Sequence, residues 1–374
     1  MKAGTYFMLG NEASAEGAIY AGCNFFAGYP ITPATEIAEY LSIKLPQIKG
    51  YFLQLEDEIA AICSVIGASW TGAKAMTATS GPGFSLMQEA ISYAYHTETP
   101  IVIVEVSRSG PSTGQATYPS QQDFYQVRFG AHGDYEAIVL TPWSVQEAFD
   151  FTIKSFNLAE TYRVPTILMM DGAIAHSRER LMVPEQSKVP LINRKMKSGH
   201  CEPFKAIDDT LVPPMPLFGM GCNLLITGSA HEPSGLRNYN PKIHSETVSR
   251  ICAKVKQASN DICEIEAQFM EDAKYVILSY GVSARSAYGA VLKLRKEYKV
   301  GFIRLKTIWP FPDELLKNLL KDEIKSIFVV EMNIGKAVRE IQRVNKTAKI
   351  VSITKLGGLI PSINDIIKIF EREA

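Results

Sequence analysis

The chain has 374 residues, of which 46% are hydrophobic and 21% charged, so it is long enough for two globular domains. Its 39 basic and 39 acidic side chains balance, which gives no electrostatic reason to expect nucleic acid or an anionic membrane as partner. No apolar run approaches the roughly 18 residues of a membrane-spanning helix, and the N-terminus lacks the form of a signal peptide. We therefore expect a cytoplasmic protein with no nucleic-acid and no membrane partner.

In chain order, the first half alternates strand and helix patterns. A short apolar run at 24–27 leads into a helix pattern that places Ile37, Leu41 and Leu45 on one face. Ser144 and Glu147 form a capping box that opens a helix to about residue 161. Further helices are predicted at 59–70 and 86–95, and buried strands at 74–79, 101–106 and 165–170. This alternation predicts a parallel α/β sheet.

The second half begins with a stretch of fading periodicity. Prolines and glycines between about 191 and 242 mark an extended connector. A helix from about Ser245 then leads into a second α/β unit. Lys306 and residues 309–312 are either functional, since the combination is unusual, or an apolar loop before a helix, which is the preferred interpretation. We predict a first domain over 1–190, a connector over 191–244 and a second domain over 245–374. Strands of the second domain are predicted at 275–279, 300–305, 326–330 and 350–353.

The six cysteines contain no C-x-x-C pair, which argues against an iron–sulfur cluster or zinc site built from this chain alone. A disulfide framework is not expected in a cytoplasmic protein of this size. We interpret the cysteines as small apolar residues and predict no metal ligands in this chain. They are Cys23, Cys63, Cys201, Cys222, Cys252 and Cys263.

Three polar segments of the first domain stand at the entry to a predicted helix: residues 32–36 with Glu39 further on, residues 56–58 and residues 79–83. In an open parallel sheet, ligands bind at the carboxyl ends of the strands. Glu58 stands before an apolar helix, so its carboxyl group is expected at the edge of a dry core. Burial raises a carboxyl pKa and suits proton sharing with a heterocyclic nitrogen. The alternative is that residues 56–58 are acids favoured by the helix dipole.

The other candidates also have two interpretations each. Gly81 and Gly83 let the backbone approach a ligand closely, or they simply form a tight turn. Thr32 is a candidate ligand residue, or an N-cap before a proline in the first helical position. Arg108 ends a buried strand, where a guanidinium could hold a carboxylate in a bidentate manner, or be solvated or paired structurally.

Taken together, these segments resemble the α subunits of the 2-oxoacid:ferredoxin oxidoreductases. The similar stretches are Y-P-I-T-P-A-T at 29–35 with Glu39, Q-L-E-D-E-I at 54–59, T-A-T-S-G-P-G at 77–83 and R-S-G-P-S-T-G at 108–114. Further similar stretches lie at 132–134, 227–228, 304–312 and 331–333, so the resemblance spans nearly the whole chain. The G-P-S-T-G segment points to the 2-oxoglutarate branch.

The resemblance implies a thiamine-diphosphate-binding domain of the pyrimidine type, with a parallel sheet, followed by a transketolase C-terminal-like α/β domain. Glu58 would be catalytic, through a hydrogen bond to the aminopyrimidine ring of the cofactor. Thr32 and Arg108 would hold the substrate carboxylate. The cofactor-binding residues implied are Pro30, Thr32, Glu58, Ser80, Gly81 and Pro82. The implied reaction is the reversible oxidative decarboxylation of 2-oxoglutarate with coenzyme A, giving succinyl-CoA, CO2 and reduced ferredoxin.

The family also implies partners. Its relatives bind Mg²⁺ and the diphosphate with a Gly-Asp-Gly motif, which this chain lacks. We therefore expect a β subunit that carries the diphosphate and Mg²⁺ site and a [4Fe-4S] cluster, so that the thiamine diphosphate is shared between two chains. Gamma and delta subunits are further candidates, and ferredoxin and coenzyme A are the other expected partners. Alone, this chain should be inactive.

One departure leaves the substrate open. The family segment G-x-P-T-R reads G-Q-A-T-Y at 114–118, so Tyr118 stands where an arginine is usual. If that arginine binds the distal carboxylate of 2-oxoglutarate, pyruvate or a branched-chain 2-oxoacid becomes the alternative substrate. A second alternative is a non-catalytic assembly subunit. Glu58 and Arg108 favour the enzyme, since an assembly subunit has no chemical need of them.

Overall fold

The structure, a computed structural model, describes residues 1–197 and 199–374. The strands are β1 (Gly4–Leu9), β2 (Phe25–Gly28), β3 (Tyr51–Gln54), β4 (Ala75–Thr79), β5 (Ile101–Ser109), β6 (Gln115–Pro119), β7 (Ile138–Leu140), β8 (Pro165–Asp171), β9 (Arg178–Val183), β10 (Ile265–Gln268), β11 (Tyr275–Tyr280), β12 (Val300–Leu305), β13 (Thr307–Trp309), β14 (Ser326–Glu331) and β15 (Lys349–Thr354).

The helices are α1 (Gly10–Tyr20), α2 (Thr35–Gln47), α3 (Glu58–Trp70), α4 (Gly81–Leu86), α5 (Gln88–His96), α6 (Gln126–Phe129), α7 (Val145–Tyr162), α8 (Gly172–His176), α9 (Pro241–Gln257), α10 (Ser259–Ile262), α11 (Ser283–Leu294), α12 (Asp313–Leu319), α13 (Lys336–Val344) and α14 (Ile363–Glu373). Short 3-10 turns occupy Gln122–Phe124 and Gln186–Lys188. Among the described residues, no helix combines the length and the apolar character needed to cross a bilayer.

The larger sheet has the strand order β13-β7-β8-β5-β4-β2-β3, with β6 attached to β5. Its six strands from β7 to β3 in this order are parallel, whereas β13 and β6 pair antiparallel. Strands β4, β5, β7 and β8 of this sheet are buried on both faces, as their unbroken apolar runs predict, whereas the edge strand β3 is largely exposed. Along β5, Ile101 and Ile103 join the apolar cluster on one face and Val102 and Val104 the cluster on the other.

The second sheet has the order β10-β12-β11-β14-β15 and is parallel except for β10. Leu278 and Ile303 belong to the same apolar cluster as Ile62 and Trp70 of the first sheet's helices, so one core runs between the two sheets. A separate cluster under α11 and α14 covers the other face. The prediction of two parallel-sheet α/β units is confirmed, and the four predicted strands of the second unit lie within one residue of β11, β12, β14 and β15.

Helix boundaries differ from the sequence expectations at three places. The helix predicted at 86–95 is two helices, α4 and α5, which break at Met87. Helix α9 begins at Pro241 rather than Ser245, because Asn240 caps it by accepting from the Lys242 amide at 2.9 Å. Thr32 is not a helix cap, since α2 begins only at Thr35. The structural alternative offered for Thr32 is therefore wrong.

Residues 306–312 are more than a loop before a helix. Part of this segment forms β13, which pairs with β7 at the edge of the larger sheet. The Trp309 indole donates to the Phe124 carbonyl at 3.0 Å, which anchors the segment on the first domain. The prediction of a plain loop was wrong for 307–309, because Thr and Trp favour strand and an unpaired sheet edge lies beside them.

The cysteine prediction requires a correction. Cys201 and Cys222 form a disulfide across 21 positions of the connector, whereas the sequence argument expected none. The expectation rested on the redox compartment in which disulfides persist. The two side chains meet because the folded connector brings them together, and this contact is not visible in the sequence. The other four cysteines have free thiols in the structure.

Candidate active site

Four adjacent strands of the larger sheet end at the residues that the sequence singled out. Arg108 lies at the end of β5, and Ser80 directly follows β4. Thr32 follows β2, and Glu58 follows β3. Because these strands are parallel neighbours, their carboxyl ends meet at one edge of the sheet. The fold therefore gathers the predicted residues along a single edge.

Glu58 opens helix α3 and is only 4% exposed. Its neighbour Asp57 caps the helix by accepting from the Ala60 amide at 2.7 Å. The structural role at the helix N-terminus, which was the alternative interpretation of residues 56–58, is thus performed by Asp57. Within the described part of the chain, no other side chain donates a hydrogen bond to Glu58. Burial therefore raises the pKa of the Glu58 carboxyl, which favours its protonated form.

The turn after β4 packs directly on Glu58. A Cβ atom added at Gly83 would lie 2.3 Å from Glu58 Oε1 and 2.3 Å from Thr79 Oγ1. Only glycine leaves room for the carboxyl group there. Ser80, at the start of the turn, is buried, and its hydroxyl has no hydrogen-bond partner among the described residues. The turn thus presents an unsatisfied polar group beside an unpaired acid.

Thr32 and Arg108 are joined directly. A terminal nitrogen of Arg108 donates to the Thr32 carbonyl at 2.8 Å, while the Arg108 Nε atom is buried and has no partner in the described part of the chain. Arg108 is 8% exposed. Pro30 lies exposed in the same loop as Thr32, and Pro82 lies half-buried in the first turn of α4. Neither proline makes a contact that tests its predicted role.

A pair of buried acids lies below this edge and was not predicted from the sequence. Glu105 lies on β5, and Asp123 lies close enough that each carboxyl group affects the pKa of the other. Ser107 donates its hydroxyl to Glu105. Burial raises the pKa of both acids, and the charge of Asp123 raises that of Glu105 further. A signal was present, because an acid inside an apolar strand buried on both faces needs a partner.

Tyr118 lies on β6, next to the residue that pairs with Arg108. A Cβ atom at Gly358 would lie 2.3 Å from the Tyr118 Cβ, so the loop at 357–358, with positive φ at both glycines, packs against the tyrosine. Tyr118 is 49% exposed. The residue that departs from the family pattern is therefore close to the Arg108 strand end.

Comparison with protein-family models gives two matches. Residues 16–250 match the model described as pyruvate flavodoxin/ferredoxin oxidoreductase, thiamine-diphosphate-binding. Residues 273–366 match the model of pyruvate:ferredoxin oxidoreductase core domain II. The first match covers the elements that carry Glu58, Ser80 and Arg108.

Several curated proteins are similar over almost their whole length. The chain is 50% identical over 358 residues to 2-oxoglutarate synthase subunit KorA of Methanocaldococcus jannaschii, covering 94% of this chain and 95% of that one. It is 47% identical over 370 residues to the subunit of the same name from Methanothermobacter marburgensis, covering 97% of each. It is 35% identical over 370 residues to ketoisovalerate oxidoreductase subunit VorB of Methanothermobacter marburgensis, covering 97% and 96%.

Among solved structures, the chain superposes with a TM-score of 0.93 and 34% identity on the 2-oxoglutarate:ferredoxin oxidoreductase from Magnetococcus marinus, which was solved with 2-oxoglutarate, coenzyme A and succinyl-CoA bound. The match covers 99% of this chain but 65% of that one, so this chain spans about two thirds of its length. A split-gene transketolase, 12% identical with a TM-score of 0.57, shares the fold alone. The resemblance inferred from the motifs is confirmed: the chain belongs to the pyruvate flavodoxin/ferredoxin oxidoreductase family and contains its thiamine-diphosphate-binding domain.

Proposed function

We propose that this chain is the pyrimidine-binding subunit of a 2-oxoglutarate:ferredoxin oxidoreductase that works in the cytoplasm. The complex would convert 2-oxoglutarate, coenzyme A and oxidised ferredoxin reversibly into succinyl-CoA, CO2 and reduced ferredoxin. The relatives named 2-oxoglutarate synthase support this substrate, since they are 39–50% identical whereas the ketoisovalerate relatives are 34–35% identical. The buried and unpaired Glu58 carboxyl is the observation that carries the proposal.

Glu58 has the properties that a donor to a heterocyclic nitrogen needs. Burial raises the pKa of the Glu58 carboxyl, which favours its protonated form, and the wall formed by Gly83 and Thr79 fixes where its carboxyl group lies. Thiamine diphosphate, when bound, would supply the electron sink for decarboxylation. Glu58 would hydrogen-bond the ring nitrogen of its aminopyrimidine and hold the ring in its reactive protonation state.

The remaining polar groups of the edge fit the same assignment. Buried polar atoms are almost always hydrogen-bonded, so the unpartnered Ser80 Oγ and Arg108 Nε atoms suit a site that binds a polar ligand. Pro30, Thr32, Ser80, Gly81 and Pro82 would line the pyrimidine, together with Glu58. Thr32 and Arg108 would hold the carboxylate of the 2-oxoacid, because a guanidinium matches a carboxylate in bidentate fashion.

The other half of the site belongs to a partner in this proposal. The chain has no Gly-Asp-Gly segment for Mg²⁺ and the diphosphate, and no C-x-x-C pair for a [4Fe-4S] cluster. A β subunit would supply both, with gamma and delta subunits, ferredoxin and coenzyme A as further partners. Exposed apolar side chains on the segments that carry the predicted site residues support a docked partner, because such side chains are common at interaction surfaces. They are Tyr29, Leu53, Ile59 and Leu86.

The division of labour within the chain is also part of the proposal. Residues 1–190 would form the pyrimidine-binding domain, 191–244 the connector and 245–374 the transketolase C-terminal-like domain. The matches at 16–250 and 273–366 support two functional units. Strand β13 belongs to the second unit but pairs with β7 of the first, which supports a rigid connection between the two units.

A second substrate class is favoured by one observation. Tyr118 stands where the family usually has an arginine and lies near the Arg108 strand end. If that arginine binds the distal carboxylate of 2-oxoglutarate, this chain lacks one positive charge there. An uncharged pocket of this kind would suit pyruvate or a branched-chain 2-oxoacid better than a dicarboxylate. The 35% identity to a ketoisovalerate oxidoreductase subunit supports this alternative.

The test is to co-purify the chain with its β partner and measure coenzyme A-dependent viologen reduction across a panel of 2-oxoacids. We expect kcat/KM to be largest for 2-oxoglutarate. Preference for another 2-oxoacid would keep the chemistry and assign the change to the pocket around Tyr118. A complex that carries its clusters and thiamine diphosphate but turns over no 2-oxoacid would contradict the proposal in favour of a non-catalytic assembly subunit.

A further inference from the structure

The strongest feature outside the assigned residues is the acid pair Glu105 and Asp123. Glu105 is fully buried on β5, and Asp123 lies in the turn Gln122–Phe124 that follows β6. Ser107 donates its hydroxyl to one oxygen of Glu105, and the Gly81 backbone amide lies close enough to lower the pKa of this carboxyl group. One oxygen of each acid, Glu105 Oε1 and Asp123 Oδ2, has no donor within the described part of the chain.

Two facing carboxylates cannot both be ionised in such a place without a large electrostatic cost. The charged groups packed around the pair are Lys336 from α13 and Arg108 from β5. Lys336 donates to the Gln122 carbonyl and Arg108 to the Thr32 carbonyl, so the structure records no salt bridge from either cation to the pair. A proton held between the two acids satisfies both and removes the repulsion.

The pair touches both halves of the assigned site. A Cβ atom at Gly81 would lie 3.3 Å from Asp123 Oδ2, so the carboxyl group supports the turn that packs on Glu58. On the other side, Glu105 and Arg108 share strand β5. The chain directly after β5 is held by Gln122, the residue before Asp123, because the Gln122 side chain accepts from the Gly110 amide at 2.6 Å.

The same short turn also reaches the second domain. Gln121 donates to the Tyr280 carbonyl at 2.9 Å and accepts from the Met332 amide at 3.0 Å. Asn333 donates in return to the Gln121 carbonyl at 2.8 Å. Three consecutive residues therefore connect the second domain, the loop after Arg108 and the turn at Gly81. The acid pair is the buried contact by which this connection reaches the cofactor edge.

We propose that Glu105 and Asp123 share one proton and act as positioning residues, fixing the Gly81 turn beside Glu58 and the strand end that carries Arg108. The inference rests on the proposed cofactor site for its consequence but not for the proton, which the pair needs whether or not a ligand is bound. It assigns the pair no contact with substrate or cofactor.

The shared proton is tested by infrared difference spectroscopy of the assembled complex at neutral pH. The un-ionised carboxylic acid gives a carbonyl band that neither an ionised acid nor an amide gives. We expect wild type minus Glu105→Gln, and wild type minus Asp123→Asn, each to show the loss of one such band. The matched control is Glu56→Gln, an exposed acid in the same domain, which should lose none. Spectra in which neither variant loses a band would overturn the proposal.

The positioning role is tested by thiamine diphosphate affinity and by the KM for the preferred 2-oxoacid. Glu105→Gln can donate its amide to Asp123 without a shared proton, so both quantities should stay within about threefold of wild type. Glu105→Leu leaves the buried Asp123 carboxyl group without its partner acid, so each should worsen by about tenfold or more. If the leucine variant does not assemble, Ser107→Ala is measured instead, with an expected weakening of about threefold.

Three outcomes are distinguishable. Equal cofactor affinity and KM in wild type and Glu105→Leu, or in Ser107→Ala when that variant replaces it, would contradict a positioning role. Loss of affinity in Glu105→Gln as severe as in Glu105→Leu would also contradict it, because the amide should rescue the bridge. Failure of wild type to bind thiamine diphosphate would instead overturn the proposed function, and it would leave the infrared result on the shared proton intact.

Discussion

Two buried carboxyl groups of the first domain have opposite surroundings. Glu98, in the loop before β5, binds Lys254 at 2.6 Å and Arg250 at 2.8 Å, both from helix α9. Burial alone would raise its pKa, but these two cations lower the pKa of Glu98 well below its usual range. Glu58 is nearly as buried, has no such cation, and has a raised pKa.

The difference separates an acid with a structural role from an acid that is available to a ligand. Glu98 is ionised and satisfied inside the protein, so it joins helix α9 to the first domain and leaves nothing for a ligand. Glu58 keeps a carboxyl group that no side chain among the described residues pairs with, at the edge of the sheet, and its burial carries a folding cost that a bound partner would offset. Burial alone therefore does not identify a functional acid; burial without a counter-charge, at the edge of the sheet where ligands bind, makes Glu58 the candidate.

The largest effect is expected for Glu58→Gln on turnover. Removing the proton donor should lower coenzyme A-dependent viologen reduction by about 10²–10⁴-fold, the usual contribution of a general acid–base group. Glu56→Gln, an exposed acid two residues away, should leave the rate unchanged. The steady-state rates of the two variant complexes decide this, and equal rates would contradict the assignment.

The next effect is expected for Glu98→Gln on stability. The substitution leaves Lys254 and Arg250 buried without their counter-charge, which should cost about 3–5 kcal/mol in the free energy of unfolding measured with urea. Because the folded pKa of Glu98 is depressed, its stabilising contribution is present above the unfolded pKa and is lost as the pH falls through the folded value. The difference between wild type and variant should therefore shrink in acid.

Cys201→Ser tests the connector, to which neither Glu58 nor Glu98 belongs. Under oxidising conditions, loss of a disulfide that spans 21 positions should lower the free energy of unfolding by about 3 kcal/mol. Under strong reductant, wild type and variant should unfold together. A stability difference that persists in reductant would assign the effect to packing rather than to the bond.

Arg108→Lys should give the smallest effect. Lysine keeps the charge but loses the planar pair of donors, so the KM for the 2-oxoacid should rise by about tenfold while kcat changes less. Initial rates across substrate concentrations separate the two constants. A fall in kcat with an unchanged KM would argue that Arg108 serves the chemical step rather than substrate binding.

Much of the fold could be predicted from local pattern. Strand β5 followed from the apolar run at 101–106, and Glu58 followed from an acid placed before an apolar helix. Both depend on neighbours in sequence, which a single chain reveals. The edge formed by Glu58, Ser80, Thr32 and Arg108 followed from a general property of parallel sheets.

The missed features depend on contacts between distant residues. Glu105 was inside the apolar run, yet its partner Asp123 is 18 positions away, across β6. Cys201 and Cys222 meet only because the connector folds back, and β13 finds its place only because β7 leaves an edge free. No periodicity or motif encodes such pairings, so a single sequence could not supply them.

The central claim is that Glu58 is held unpaired for the cofactor, and stabilisation by thiamine diphosphate tests it most directly. Without cofactor, the Glu58→Gln complex should unfold at a higher temperature than wild type near pH 8, because the amide removes the folding cost of a carboxyl group with a raised pKa. With saturating thiamine diphosphate and Mg²⁺, wild type should gain more than the variant and reverse that order. An equal gain in both complexes would contradict the claim.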